Sequence, residues 1–412
     1  MSKYRELAEK FGTPAYVYDL DVVAESRDQL FGLLPEGFHL FYALKANPHP
    51  EIARELRESG DRPCRAEISS TGELANALAA GFTPDEILYT GPGKTNGELE
   101  QAVAAGVRLF SVESPTDLRH VGAAAGKYGV TVSCLLRVNT TQGSASTGIR
   151  MMGRPSQFGI DAETLPALMP ALMAVPGTRV VGAHFFTMSN AKDEDSLLGE
   201  YEFVLRSAAE LRDEAGLPLE LLDIGGGFSS PYAVPGPRTD YPKLRAGLEA
   251  LLDLHLPEWR SGEVELACES GRYLSGSSGS LLAGVVNVKE SRGSRFVILD
   301  AGINAVGGLS GIGRLLPAAV GITEGEDTGE NGVTGSLVGP LCTPGDSLAK
   351  AARLPELSPG DVVTVPNVGA YGATASLIAF LGRPAPAEVV VRGGEVVSAS
   401  RLDYGRVYEV SP

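Results

Sequence analysis

Lys45 is the first residue along this chain whose surroundings suggest covalent chemistry. It follows Phe41-Tyr42-Ala43-Leu44 and precedes Ala46, Asn47 and Pro48. An apolar, aromatic run that ends at one amine reads as a buried strand delivering that amine to its C-terminal tip. Partial desolvation there disfavours the ammonium, so Lys45 is a candidate Schiff-base former. A solvated lysine at a strand end has the same local pattern, and its weight depends on the motifs that follow. Leu222-Asp223-Ile224-Gly225-Gly226-Gly227-Phe228 is a strand running into three glycines, whose N–H groups can converge on a phosphate or form a plain flexible turn. The spacing is not that of a GxGxxG dinucleotide site. Glu269-Ser270-Gly271-Arg272-Tyr273 sets a carboxylate and a guanidinium just past another strand. They form a surface ion pair or serve one ligand, Glu269 keeping a pyridine nitrogen protonated while Gly271 and Arg272 approach a phosphate. Cys342, in the Gly/Pro-framed stretch Val338–Asp346, is either a structural thiol or a general acid. Tyr371, between small residues, is a phosphate hydroxyl donor or an ordinary core aromatic.

These groups need a scaffold that brings strand ends together. From about residue 37 to 275 short apolar strands alternate with helix-like segments. The strand candidates are Phe38–Ala43, Ile87–Tyr89, Arg108–Val112, Val130–Val138, Val180–Phe186, Leu221–Ile224 and Val264–Ala267. Helical patterns cover Pro50–Glu58, Gly72–Ala80, Asn96–Ala104, Pro115–Tyr128, Leu165–Met173, Asp195–Glu214 and Lys243–His255. That alternation implies parallel βαβ units, enough to close a (β/α)8 barrel of the TIM type, with an open doubly wound sheet as the alternative. After residue 275 short strands separated by Gly, Pro and Asp follow an all-β grammar. Pro14–Tyr18 reads as a strand that joins them, behind a short amphipathic helix stopped by Gly12. The expected division is an α/β barrel over 28–275 and a β domain built from 1–27 and 276–412. The acidic, glycine-rich loop Gly321–Gly335 is expected to be mobile.

Composition narrows the classes. With 412 residues, 43% of them apolar and 21% charged, the chain suits a folded globular enzyme. A formal charge of −16 argues against nucleic acid and anionic membrane as partners. The N-terminus lacks the apolar core of a signal peptide and no apolar run approaches membrane-spanning length, so a cytoplasmic protein is expected. Cys64, Cys134, Cys268 and Cys342 are widely scattered, as are the five histidines, so neither disulfides nor a metal site is expected.

Taken in order, the motifs resemble those of the fold type III pyridoxal-phosphate (PLP) decarboxylases, the ornithine, diaminopimelate and arginine decarboxylase group. The likeness runs from Phe11-Gly12-Thr13-Pro14 to Tyr371. It takes in Tyr42–Asn47, Glu67–Leu74, Gly91–Lys94, Leu136–Asn139, Gln157–Gly159, Gly225–Gly227, Glu269–Arg272, Cys342–Asp346 and Gly369–Tyr371. The resemblance implies an alanine-racemase-like barrel with a C-terminal β domain, PLP as cofactor, and a homodimer. It implies that Lys45 carries the cofactor as a Schiff base and that Glu269 pairs with the pyridine nitrogen. Gly225, Gly226, Gly227, Gly271, Arg272, Ser189 and Tyr371 would surround the phosphate. Cys342, reaching in from the other subunit, would donate the proton that replaces carbon dioxide, with Thr343, Asp346 and Tyr371 on the substrate side; Arg314, the only cation between Asp300 and Glu324, could meet a substrate carboxylate or phosphate.

Departures from the family pattern bear on the substrate. Many members carry a His where Phe186 stands, so Phe186 would cover the cofactor by stacking alone; His184 is left without a role. This feature resembles the branch active in secondary metabolism and siderophore assembly, some members of which act on carrier-tethered or citrate-linked amino-acyl groups. Thr343 occupies the place of an acid that serves dibasic substrates, and no Asp or Glu lies between Asp300 and Glu324. A distal ammonium would lack a partner there, so ornithine, lysine and arginine are expected to be poor substrates. The diaminopimelate hallmark of Arg-Pro with a nearby Tyr is missing as well, though a diaminopimelate or other free amino-acid decarboxylase is the alternative. Two further readings are a racemase, opposed by Glu269, and a non-catalytic PLP-binding homologue, opposed by retention of Lys45, Glu269 and Cys342.

Overall fold

The computed structural model describes residues 3–140, 149–150, 155–191, 193–309, 320–323 and 332–407. The chain divides into two compact units. One is Ala24–Ser229 with Thr239–Leu274; the other is Met1–Val23, Ser230–Arg238 and Ser275–Pro412.

In the first unit eight parallel strands close into a ring. They are β1 (His39–Ala43), β2 (Arg65–Ile68), β3 (Ile87–Tyr89), β4 (Leu109–Val112), β5 (Val132–Asn139), β6 (Thr178–His184), β7 (Leu221–Asp223) and β8 (Glu265–Ser270). Each pairs with the next, and β8 returns to β1 with Glu269 opposite Phe41 and Ser270 opposite Tyr42. That closing pair excludes the open sheet. β2 has no counterpart among the strands expected from sequence, because it is four residues long and two of them, Arg65 and Glu67, are charged. The helix Leu20–Leu33 is likewise unanticipated. Capping side chains start the return helices: Ser70 accepts from the Glu73 N–H, Thr95 and Glu98 form a reciprocal box, and Ser114 accepts from Asp117.

The barrel interior explains where chemistry can sit. Leu135, Leu221 and Ala267 form one buried cluster with Phe41, Leu88 and Val181, and Leu109 packs against it. Strand side chains alternate with a period of two, so the next residues on the same face are Ser111, Arg137, Asp223 and Glu269. All four are buried. An apolar plug is therefore topped, at the C-terminal ends of the strands, by a polar layer. Each fully buried apolar side chain contributes about 1.5–3 kcal/mol, which offsets the several kcal/mol per ion that this layer costs to desolvate.

The second unit is an eight-stranded sheet. Its order is Ser347–Leu354, Val333–Val338, Ser294–Leu299, Gly279–Ser291, Ala15–Asp19, Ala387–Arg392 and Glu395–Arg401, with Val362–Val365 also paired to Gly279–Ser291. Ala15–Asp19 sits mid-sheet, antiparallel to Gly279–Ser291 and parallel to Ala387–Arg392. The N-terminal helix Lys3–Phe11 covers it through Leu7 and Ala8, which pack with Val17, Leu282, Val389 and Val391. Ser347–Leu354, with alternation broken by Lys350 and Arg353, was not legible as a strand. Within the Gly321–Gly335 loop, residues 324–331 lie outside the described residues, and Val333–Gly335 belong to a strand. Among the described residues no helix is long and apolar enough to cross a membrane.

Candidate active site

Strand β1 ends at Ala43, and Lys45 stands just beyond it, in the single turn Leu44–Ala46 that Asn47 and Pro48 terminate. The sequence suggested a partly desolvated amine at a strand tip. The Lys45 side chain is 39% exposed, and its Nζ donates to both oxygens of Glu67, at 3.0 and 2.8 Å. Glu67, on β2, is buried and also accepts from the Thr90 hydroxyl. The Lys45 nitrogen is thus held against a buried carboxylate. Lys94, the other lysine in a family-like motif, is 1% exposed and paired at 2.8 Å with Asp117, which takes it out of contention. Glu73 donates its N–H to Ser70 while its carboxylate accepts from the Ser69 N–H; burial and the charge of Glu67 push it up to about 7.

An aromatic ring and a second cation flank this amine. The Lys45 Nζ lies 5.5 Å from the centroid of Phe186, and the Arg137 guanidinium lies 5.8 Å from the same ring. Arg137 is fixed by Glu113 at 2.9 Å and by the Phe158 ring at 4.7 Å, and Glu113 accepts in addition from the Gly159 N–H. Phe186 is thus approached by two cations attracted to its π system.

Glu269, two residues beyond the apolar layer on β8, is 2% exposed, and its Oε1 lies 3.2 Å from His184 Nε2 without the alignment of a hydrogen bond. The other imidazole nitrogen, Nδ1, is 2.7 Å from the Ser111 hydroxyl. Asp223, on β7, completes a buried trio whose donor atoms all lie within 4.8 Å of one another. Burial alone would raise Glu269, yet the charge of His184, with Lys45 and Arg137, holds it at about 2. Asp223 moves the other way, to about 7, through burial and the charge of Glu269. Burial disfavours the imidazolium of His184, but Glu269 and Asp223 overcome it and lift its pKa above the ordinary value. His184 and Asp223 were not among the site residues expected from sequence; a histidine and an aspartate at the ends of neighbouring strands were the signal.

Directly past β7 the three glycines make a close passage between strands. Gly225 has φ 75°, and a Cβ there would stand 2.3 Å from the Phe185 carbonyl; one on Gly226 would stand 2.7 Å from the Glu269 carbonyl. Their carbonyls are all engaged, by Glu269 N–H, Tyr201 hydroxyl and Ala191 N–H respectively. Gly225 N–H donates to Asp223, whereas the N–H groups of Gly226 and Gly227 have no acceptor among the described residues. Gly271 packs equally tightly: a Cβ there would meet Ala46 at 2.6 Å, next to Lys45. Arg272 opens a four-residue helix after β8, and half-buried Ser189 lies in a short ladder opposite Ile149.

A family model described as pyridoxal-dependent decarboxylase, pyridoxal binding domain, matches residues 23–276. The chain is a member of this decarboxylase family. An L-glutamyl-[BtrI acyl-carrier protein] decarboxylase of Niallia circulans is 33% identical over 392 residues, 94% of this chain and 91% of that protein. A 2-[(L-alanin-3-ylcarbamoyl)methyl]-2-hydroxybutanedioate decarboxylase of Staphylococcus aureus is 29% identical over 393 residues, 90% of this chain and 92% of that protein. The solved diaminopimelate decarboxylase of Helicobacter pylori complexed with L-lysine has a TM-score of 0.80 at 28% identity, covering 94% of each chain. The decarboxylase is a PLP-dependent carboxy-lyase, and its barrel fits that cofactor: a reachable amine, an aromatic face, a buried carboxylate oxygen without a hydrogen-bond partner, and two unclaimed glycine N–H groups.

The remaining expected site residues belong to the decarboxylase's second unit. Cys342 is exposed, unlike Cys64, Cys134 and Cys268, and follows strand Val333–Val338. Thr343 beside it is half-buried, its hydroxyl accepting from the Gly345 N–H at 3.3 Å. Asp346 serves the backbone instead of a ligand. It is buried, and its two oxygens accept from Ile303 N–H at 2.8 Å and Leu341 N–H at 2.7 Å. Those bonds brace the Cys342 loop and turn the carboxylate away from a substrate role. Tyr371 holds φ 53°, its carbonyl accepting from the Tyr232 hydroxyl and the Gly308 N–H. Arg314 lies outside the described residues.

Proposed function

We propose that this enzyme decarboxylates an amino-acyl unit presented as a conjugate, through a thioester to a carrier protein or an amide to a small acid, rather than a free basic amino acid. The observation that carries the reading is the loop at Cys342: Thr343 follows the thiol, and Asp346, the one carboxylate in that loop, is spent on backbone N–H groups. A free distal ammonium would find no partner in that loop, and leaving it unpaired costs several kcal/mol. The substrates named for the Niallia circulans and Staphylococcus aureus relatives, both conjugates, support the same reading.

In this reading the principal residues of the site divide the work. Lys45 holds the cofactor covalently, with Glu67 taking the proton its nitrogen must shed. Phe186 stacks on the ring, and Glu269, ionised far below neutral pH, keeps the ring nitrogen protonated. Gly225, Gly226, Gly227, Gly271, Arg272, Ser189 and Tyr371 receive the phosphate, the free N–H groups of the glycine passage being the backbone donors. When bound, PLP accepts the electron pair left at the α-carbon as carbon dioxide departs. Cys342 then returns a proton to that carbon. Ionised Glu269 also opposes racemase chemistry, which is served by a ring that is a weaker electron sink.

Release of carbon dioxide from a glutamyl thioester of a carrier protein, from an amide-linked amino acid, and from free glutamate, diaminopimelate, lysine and ornithine tests the proposal. The conjugates should exceed the free basic amino acids by roughly a hundredfold in kcat/KM. Equal or faster turnover of free lysine, ornithine or diaminopimelate would replace it with the free amino-acid alternative, which the fold of the Helicobacter pylori enzyme accommodates.

A further inference from the structure

We propose that His184 is a positioning residue for Glu269: backed by Ser111 and Asp223, it holds that carboxylate in place as an anion and buffers the protonation of the cofactor ring. The inference rests on the assignment of Glu269 to the ring nitrogen.

His184 is 1% exposed, and each of its nitrogens faces one group: Nδ1 the Ser111 hydroxyl at 2.7 Å, in a hydrogen bond, and Nε2 the Glu269 Oε1 at 3.2 Å, in ion-pair contact. Asp223 presents Oδ1 to the Gly225 N–H at 2.9 Å and keeps Oδ2 buried without a hydrogen-bond partner. The charged groups acting on this trio from neighbouring elements are Arg137 on β5, Glu67 on β2 and Lys45 beyond β1. Two buried carboxylates and one imidazole are neutral together only if they share two protons. Without cofactor, those two protons make an imidazolium and a neutral Asp223, and Glu269 stays negative. When a protonated ring nitrogen arrives beside Glu269, Asp223 can release its proton and take over the imidazolium, so charge stays balanced in both states. The same three donors also match the ligand types of a divalent cation. Against that role, Glu269 lies beside the glycine passage where the ring would rest.

The test compares His184→Phe, His184→Gln, Ser111→Ala and Glu269→Gln in the full-length protein. The absorption of the bound cofactor is followed against pH, alongside kcat, KM and metal content. His184→Phe should lower kcat by roughly tenfold or more with little change in KM, and shift the pH midpoint of the absorption by about one unit. His184→Gln should restore part of both, and Ser111→Ala should shift the midpoint in the same direction by less. A folded His184→Phe protein, or Ser111→Ala should the former not fold, with an unmoved midpoint while Glu269→Gln moves it would overturn the proposal and leave the Glu269 assignment standing. An unmoved midpoint in Glu269→Gln would overturn that assignment itself. Imidazole nitrogen shifts give a cofactor-independent readout: His184 should keep its imidazolium to higher pH than an ordinary histidine in the cofactor-free protein and lose that property in Glu269→Gln. A neutral imidazole under those conditions, or a stoichiometric divalent ion bound by the trio, would also overturn it.

Discussion

In its proposed role Lys45 must lose a proton before it bonds an aldehyde, and Glu67 is the acceptor within hydrogen-bond reach. Glu67 takes hydrogen bonds from the ammonium and from Thr90, which leaves it able to receive the proton without moving. Borohydride reduction of the loaded enzyme should therefore place the cofactor label on Lys45; a label on buried Lys94 would refute the assignment. Glu67→Gln should slow reconstitution of the cofactor-free protein with PLP by about tenfold or more, because an amide cannot take the proton; stopped-flow absorbance would read it. Titration of the buried acids adds a sign. Asp223 and Glu73 both rise to about 7 in the folded protein, so the stability linked to their protonation is complete below their unfolded values near 4 and is lost as pH rises through 7. Glu269, at about 2, contributes in the opposite sense, and its contribution changes only between its unfolded value and 2. From about pH 5 to 8 the cofactor-free protein should become less resistant to urea, and Asp223→Asn should flatten that slope.

Elements decide how close these groups come. The glycine passage after β7 lets the chain cross between β6 and β8 with carbonyl contacts that no Cβ would permit. Gly226→Ala would press on the carbonyl of Glu269, so it should weaken PLP binding by about tenfold or more while the far-ultraviolet circular dichroism stays unchanged; equilibrium fluorescence titration checks it. Here the sequence was most legible. An apolar run ending in Gly225-Gly226-Gly227, and another ending at Glu269, are patterns that period and turn chemistry can find. What stayed hidden follows from the same physics. β2 carries charges because Glu67 must meet Lys45, and those charges erase the apolar signature by which a strand is recognised. His184 looked idle because its partners, Ser111 and Glu269, lie on strands far away in sequence, and only ring closure brings them together. The partly desolvated lysine expected past the apolar run stands two residues beyond the strand end, in a single turn, with Glu67 as a partner that the run itself did not reveal.

At the scale of the whole molecule the proposed site residues fall in two units. Lys45, Glu269 and the glycine passage belong to the barrel unit, and Cys342, Thr343 and Tyr371 to the β unit. A proton donor needs access to the α-carbon, and Cys342 is the one exposed thiol among four free cysteines. The resemblance to the family implies that this thiol serves the site of a second copy. If so, each active site is composite, and complementation follows from two-fold symmetry. Lys45→Ala and Cys342→Ala proteins should each be nearly inactive. After mixing and subunit exchange, half the dimers are heterodimers, and each carries one site with both defects and one with neither. Activity should recover to about a quarter of that of the unmodified enzyme. Sedimentation should show a dimer throughout, and exchange can be verified with differently tagged chains. Recovery would also explain why the loop around Cys342 is braced by a buried Asp346: a side chain that must reach a neighbouring copy needs a rigid base. No recovery despite verified exchange would confine Cys342 to its own chain's site or remove it from the reaction, and the proton would then have to come from a group of the barrel.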